Sequence, residues 1–145
     1  MKRFTFNLEK VLELRQYREQ EAKNELGRAI SILNAIENNI KENALVHSRA
    51  VQERFTSIND NNGALSILAW DNYILRLEQE AERLMEEAAQ AELVVEDRRA
   101  QYLEASRELK VMEKLREKRE QEYRKEVFAA ETRERDDMWR ERNEE

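Results

Sequence analysis

The stretch that decides the fold is Asn59-Asp60-Asn61-Asn62-Gly63, the strongest break in a chain whose pattern is otherwise helical. Asn and Asp side chains hydrogen-bond to their own backbone and tolerate left-handed geometry, which glycine adopts freely. A run of such residues between two long periodic segments is typical of a tight turn. The sequence therefore predicts that the chain reverses once, near its middle.

The segments on either side of the turn are predicted to be helices at about 8–58 and about 65–140, with the turn at 59–63. The other glycine, Gly27, stands alone in helical pattern, where it costs about 1 kcal/mol relative to alanine without ending the helix. A kink at Gly27 is the alternative.

Composition supports long, solvated helices. The chain has 145 residues, no Pro, no Cys and two Gly, and 40% of its residues are charged. Average usage of roughly 5% Pro and 7% Gly would give roughly seven and ten of these residues, and ordinary domains carry only about 25% charged residues. A compact domain with many turns, a disulfide framework and a cysteine zinc site are therefore excluded.

Apolar residues recur at alternating three- and four-residue steps, the heptad spacing of a coiled coil. The stripe of the first helix is interrupted by Arg15 and Glu19, and that of the second by Arg98. The first helix carries Leu8, Leu12, Ala22, Leu26, Ala29, Leu33, Ile36 and Ile40, continued with slight drift by Ala44, Val51, Phe55 and Ile58. The second carries Ile74, Leu77, Ala81, Leu84, Ala88, Ala91, Val95, Tyr102, Ala105, Leu109 and Met112.

Folding the second helix back on the first predicts an all-α protein, a long antiparallel two-helix coiled-coil hairpin with an overhanging C-terminal helix. In this arrangement residue i faces roughly residue 124 − i. At 1.5 Å per residue the helices are about 75 Å and about 115 Å long, so residues beyond about 120 overhang the hairpin. The overhang carries apolar residues, namely Tyr123, Val127, Phe128, Ala130, Met138 and Trp139.

Two interpretations of the overhang stay open at this stage. It is either a solvated, fraying tail or a helix end that docks into another protein, because apolar residues on an unpaired stretch otherwise remain in water. The second is favoured, and the overhang also offers a surface for self-association. The rival to the whole hairpin is a parallel homodimer serving as a scaffold, which would have to break at 59–63 or run that polar string as helix.

Motifs of catalysis, metal binding and nucleic-acid binding are missing. Neither glycine has a P-loop context, no HExxH occurs, and the single histidine, His47, has no second histidine beside it. Residues 113–145 hold ten Lys/Arg against twelve Asp/Glu, and the net charge is −6, so no basic face for nucleic acid is indicated. No apolar run reaches the ~18 residues of a membrane span. We expect no enzyme, no catalytic or metal residue, no cofactor, no nucleic acid and no direct membrane insertion.

The half of the second helix nearest the turn has two features of its own. Residues 78–97 hold eight acidic residues and one basic residue, Arg83. This block is either a solvated face that keeps the protein soluble or a docking surface for a basic patch. The apolar stretch around Trp70 and Tyr73 either covers Phe55 and Ile58 or anchors a partner, since Trp and Tyr are common interface hot spots.

The two ends of the chain resemble the FliJ family of small coiled-coil proteins of the bacterial flagellar type III export apparatus. The first motif is Phe4-x-Phe6-x-Leu8-x-x-Val11-Leu12-x-x-Arg15 with Glu21-Ala22 following. The second is Glu113-Lys114-Leu115-Arg116-Glu117-Lys118-Arg119, then Glu122-Tyr123 and Asp136-Asp137. The resemblance extends over essentially the whole chain; Trp139, close after the acidic pair, departs from the family's pattern.

This resemblance implies a rod that binds partners. Family members are similar to the shaft of rotary ATP synthases, stand in the ring of the export ATPase (FliI) and promote its assembly and activity. They contact the cytoplasmic domain of the export gate (FlhA) and assist the cycling of export chaperones. The resemblance thus implies a cytoplasmic protein, peripheral at the inner-membrane base of the apparatus. The alternatives are a generic coiled-coil scaffold or the equivalent stalk protein of a virulence-type secretion system.

By analogy with the rotary shaft, the terminal end of the rod enters the ring and the half near the turn faces the gate. The candidates for contact with the ATPase ring are Phe4, Phe6, Leu115, Arg116, Arg119, Tyr123 and Arg133. The candidates for contact with the export gate are Trp70, Tyr73, Glu78, Glu82 and Glu86.

Overall fold

A computed structural model describes residues 3–59 and 63–144, which contain two α-helices. Helix α1 comprises Glu9–Ser57 and helix α2 comprises Gly63–Glu144. Helix α2 begins two residues before the expected position 65, with Gly63 as its first residue, and continues past 140. The predicted turn lies largely at 60–62, outside the described residues. Helix α1 runs through Gly27 without interruption, so the glycine does not divide it.

The two helices pack against each other, which confirms the all-α helical hairpin. Ion pairs that join the helices show their antiparallel direction, because early residues of α1 pair with late residues of α2. His47 was expected opposite position 77 and pairs with Glu78, and Arg15 was expected opposite 109 and pairs with Glu108. The parallel homodimer is therefore not the fold of this chain.

The chain divides into two compact units, which are described separately. The first consists of Met1–Ala22 and Tyr102–Glu145, and will be called the terminal unit. Its most buried residues are Phe6 and Leu12, with 8% and 4% of their surface exposed. Arg15 and Glu108 form a half-buried ion pair across the seam, so the charged interruption of the stripe is matched by a partner on the other helix.

The second unit, Lys23–Gln101, will be called the turn unit. Its core is narrow, as expected for a heptad seam, and the buried apolar residues come from both helices. They are Ala29, Ala50, Leu84 and Val95. All members of the predicted α2 stripe, from Ile74 to Met112, are buried or half-buried, and Arg98 at the same spacing is half-buried too.

The predicted continuation of the α1 stripe is wrong beyond Ile40. Ala44 is exposed, and the exposed fractions of Val51, Phe55 and Ile58 are 46%, 75% and 49%. Trp70 therefore does not cover Phe55 and Ile58. The positions that face α2 are Asn43, His47, Ala50, Arg54 and Ser57, which continue the seven-residue spacing set by Ala29, Leu33, Ile36 and Ile40. Spacing, rather than the nearest apolar side chain, decides which face of α1 is covered.

Among the described residues, neither helix contains a stretch long and apolar enough to cross a membrane.

Candidate functional site

The chain termini form the first candidate surface, which will be called the terminal surface: Phe4, Phe6, Leu115, Arg116, Arg119, Tyr123 and Arg133. Residues 3–6 precede α1 and lie along α2. The ring of Phe4 lies 5.5 Å from the ring of Tyr123, with the planes tilted by 43°. Phe6 is buried, and its carbonyl accepts a hydrogen bond from the amide of Glu9 at 3.1 Å, at the first residue of α1. The aromatic residues at the head of the chain thus attach it to α2.

Arg116 and Arg119 differ in how they are held. The Arg116 guanidinium Nε lies 3.3 Å from Glu9 Oε2, so this arginine joins α2 to the first turn of α1. Its side chain is still 45% exposed, which leaves donors available on the other guanidinium nitrogens. Arg119 is exposed and lines a groove of about 500 Å³ together with Phe4 and Tyr123.

The structure brings together some of the predicted ring-contact residues and separates others. Phe4, Arg119 and Tyr123 border one groove, whose remaining lining is Arg3, Thr5, Glu122 and Glu126. Leu115 is half-buried, and Arg133 is exposed on a different part of α2, beside Lys125 and Ala129. Sequence reasoning missed Glu9 as a partner of Arg116, although its place opposite Arg116 follows from the antiparallel register.

Helix α2 continues beyond this groove to Glu144. The eighteen residues that follow Glu126 correspond to about 27 Å of helix. Three large apolar side chains on this extension are exposed to water: Phe128 by 66%, Met138 by 60% and Trp139 by 68%. The ion pair of Glu120 with Arg124, at 3.1 Å, supports the helix where the extension starts. These exposed side chains are the ones that the predicted docking of the overhang would cover.

The second candidate surface, the turn-proximal surface, consists of Trp70, Tyr73, Glu78, Glu82 and Glu86. Trp70 and Tyr73 are half-buried, with ring centroids 6.0 Å apart and planes at 67°, an edge-to-face arrangement. The guanidinium carbon of Arg76 lies 5.8 Å from the centre of the Tyr73 ring, within the range of a cation–π interaction. Arg76 was not a sequence candidate; its spacing of three residues from Tyr73 on a helix is the signal that could have found it.

The acidic residues of the turn unit are not equivalent. Glu78 lies 3.2 Å from His47 of α1, while Glu82 and Glu86 are exposed. Arg83, the one basic residue of the acidic block, forms ion pairs with Glu80 and Glu87. The hydrogen bond from Arg83 lowers the pKa of the Glu80 carboxyl below its ordinary value. Because Arg83 is engaged along its own helix, Glu82 and Glu86 present negative charge to solvent.

The geometry favours binding chemistry. Within residues 3–59 and 63–144, no group of His, Asp or Glu side chains is arranged to hold a metal ion. His47, the single histidine, is a half-buried seam residue held beside Glu78. The two surfaces present aromatic rings, guanidinium groups and carboxylates.

These features define a class of protein, an all-α hairpin with a heptad seam and charged, partly aromatic outer surfaces. The chain belongs to the FliJ family: the family model described as flagellar FliJ protein matches residues 4–142. No match was found among curated proteins or among solved structures. The family match confirms the resemblance seen in the sequence and makes the chain a component of the flagellar export apparatus, in a family that is not enzymatic.

Proposed function

We propose that this protein is a rod inserted in the ring of the export ATPase FliI, where it promotes the assembly and activity of the ring. The observation that carries the proposal is the extension of α2 past the groove of Phe4 and Tyr123, with exposed Phe128, Met138 and Trp139. A helix end of this kind fits an element that enters a ring, since its apolar side chains reach water in the isolated chain.

The terminal surface supplies the polar part of the proposed contact. Arg116 and Arg119 project guanidinium groups, which form paired hydrogen bonds to carboxylates more readily than lysine does. Phe4 against Tyr123 holds the head of the chain beside these arginines. We expect the ring to offer acidic side chains at this level, with Leu115 and Arg133 completing the contact, while buried Phe6 holds the head of the chain in place.

The test is stimulation of the cognate export ATPase by charge-reversal variants. Arg116→Glu combined with Arg119→Glu should reduce the stimulation several-fold and leave helicity unchanged. Arg107→Glu is the matched control, because Arg107 lies on the same helix, is 76% exposed and only approaches Glu104 at 3.9 Å. Unchanged stimulation by the double variant would contradict the assignment.

The ion pair of Arg116 with Glu9 requires a second control, since charge reversal also breaks this contact within the chain. Combining Arg116→Glu with Glu9→Arg reverses the pair and allows it to form again. If the reversed pair restores the free energy of unfolding without restoring stimulation, the lost function belongs to the contact with the ring. Recovery of stimulation would mean that Arg116 acts only through Glu9.

We infer that the turn unit links the ATPase to the cytoplasmic domain of the export gate FlhA, through the turn-proximal surface. Exposed Glu82 and Glu86 beside an edge-to-face pair of aromatic rings support this assignment, because aromatic residues often carry interface energy. Assistance in cycling export chaperones, cytoplasmic location and peripheral attachment at the inner membrane belong to the same proposal.

Gate binding is tested by replacing Glu82 and Glu86 with lysine and measuring capture of the purified gate domain. The expected result is weaker binding that becomes less sensitive to salt, as the lost contacts are electrostatic. Glu37→Lys combined with Glu42→Lys, two exposed positions on α1 that change the net charge by the same amount, should bind as the parent does. Equal binding by the parent, the variant at Glu82 and Glu86, and the control would mean that the gate contact lies elsewhere.

A further inference from the structure

Helix α1 carries two sets of positions that could face α2 between Leu33 and Ile58. The first, the heptad track, is the one that the structure uses, and its last members are Asn43, His47, Ala50, Arg54 and Ser57. The second, the eleven-residue track, advances by steps of three, four and four. Its members are Leu33, Ile36, Ile40, Ala44, His47, Val51, Phe55 and Ile58. The tracks share their first three residues and meet again at His47.

The two tracks correspond to different windings of the same helix. A seven-residue repeat has 3.5 residues per turn and produces a left-handed supercoil, whereas an eleven-residue repeat has about 3.67 and winds the opposite way. A straight α-helix, at 3.6, lies between them. The backbone of α1 can therefore satisfy either track in its last four turns with a small change of twist.

The heptad track leaves apolar side chains in water and places polar ones at the seam. Phe55 is 75% exposed, and Val51 and Ile58 are about half exposed, at 46% and 49%. The positions used instead include Arg54, which pairs with Asp71, and Ser57, which is 6% exposed. The hydroxyl of Ser57 donates to the carbonyl of Arg54 on its own helix. Apolar burial thus favours the eleven-residue track.

One ion pair between the helices favours the heptad track: Arg54, which belongs to that track alone, pairs with Asp71. His47 lies 3.2 Å from Glu78, but His47 belongs to both tracks, so this contact favours neither. The side chains of Arg54 and Asp71 are 39% and 49% exposed. An ion pair this close to water contributes little, so neither track is strongly preferred.

We propose that residues 43–58 of α1 exchange between the two tracks, forming a two-state element at the turn end of the hairpin. In the second state this part of α1 is rotated by up to about 100°, the angle between neighbouring residues. Val51, Phe55 and Ile58 then pack against α2, and Arg54 and Ser57 move to the solvent. Helix α2 is unchanged, because its seam residues at this level, Trp70 and Ile74, serve both states. A partner that contacts Phe55 in one state only would shift the balance.

The experiment uses engineered cysteine pairs in the full chain, which has no cysteine of its own. The register of the two ion pairs places positions 50–52 at the level of Ile74. Ile74→Cys is combined in turn with Ala50→Cys for the heptad track, Val51→Cys for the eleven-residue track, and Gln52→Cys as a control. Position 52 lies on the far side of α1 in the heptad track and on its flank, about 100° from position 51, in the eleven-residue track. The readout is the fraction of monomer that becomes cross-linked internally under mild oxidation.

The 50–74 pair should cross-link most, and the 51–74 pair several-fold more than the control. Adding Asp71→Asn, which removes the partner of Arg54, should at least double the 51–74 yield and lower the 50–74 yield. Adding Phe55→Ser should reduce the 51–74 yield alone. The proposal is overturned if the 51–74 pair cross-links no more than the control, with and without Asp71→Asn.

A measurement without cysteines gives an independent result. In a Trp139→Phe background, Trp70 is the only tryptophan. Asp71→Asn should shift the emission of Trp70 to shorter wavelength as Phe55 packs beside it, and Phe55→Ser should abolish the shift. An emission maximum that is the same in all variants, with unchanged helicity, would contradict the exchange.

Discussion

At the scale of single residues, two alanines of α1 differ sharply in how far they are buried at the seam. Ala50 is 2% exposed, whereas Ala44, one residue past the seam position Asn43, is exposed. Sequence reasoning assigned Ala44 to the seam because it followed apolar residues one at a time. The seven-residue spacing would have selected Ala50, at the cost of accepting Asn43, His47 and Arg54 as seam residues.

The difference in burial between Ala50 and Ala44 can be tested by the same substitution at both positions. Ala50→Leu inserts three extra carbon atoms into a tightly packed position and should lower the free energy of unfolding by about 1–3 kcal/mol. Ala44→Leu points outwards and should change it by less than about 0.5 kcal/mol. Urea denaturation followed by circular dichroism measures both. Equal losses would mean that the two tracks are populated to similar extents, and a larger loss at position 44 would mean that the eleven-residue track is the dominant one.

At the scale of the helices, the α2 stripe was predictable because its apolar residues keep one period from Ile74 to Met112. The end of α1 was not, because apolar content and period disagree there. The proposed surfaces were predictable only in part. Phe4 contacts Tyr123 because the segment that precedes α1 lies along α2. The position of a segment outside the helices cannot be predicted from helical periodicity.

Gly27 gives a prediction for α1 as an element. A methyl group added at this position meets no atom within 4 Å, and the helix is continuous through it. Gly27→Ala should therefore raise the free energy of unfolding by up to about 1 kcal/mol, since alanine is the better helix former. Thermal denaturation against the parent provides the measurement. A loss of stability would show that α1 needs the glycine for a kink or a close approach.

The α2 seam is tested by comparing two leucines on the same helix. Leu84 is 5% exposed and Leu93 is 65% exposed. Leu84→Ala should destabilise the hairpin by about 2 kcal/mol or more through lost burial and the cavity that remains. Leu93→Ala should have an effect below about 0.5 kcal/mol. Similar unfolding midpoints for the two variants would contradict the assignment of the seam.

At the scale of the whole molecule, the family match, the helical hairpin and the extension of α2 are the observations on which the proposed function rests. The fold and the family could be predicted from the sequence because the helical period runs along nearly all of the chain. One turn interrupts this period, and the motifs at the two ends resemble the family. Partner contacts were not accessible in the same way, since exposed Glu, Lys and Arg side chains on helices look alike whether they bind a protein or water. The structure reduces the candidate contact residues to the few on the terminal and turn-proximal surfaces, and the binding and stimulation assays test these residues.

The most direct measurement compares stimulation of the export ATPase by the full chain and by a chain that ends at Glu126. This truncation keeps the groove of Phe4 and Tyr123 and removes Phe128, Met138 and Trp139. A chain that ends at Arg142 is the control for shortening as such. The account predicts that stimulation is retained by the control and falls several-fold, towards the basal rate, when the chain ends at Glu126. Full stimulation by the chain that ends at Glu126 would contradict it.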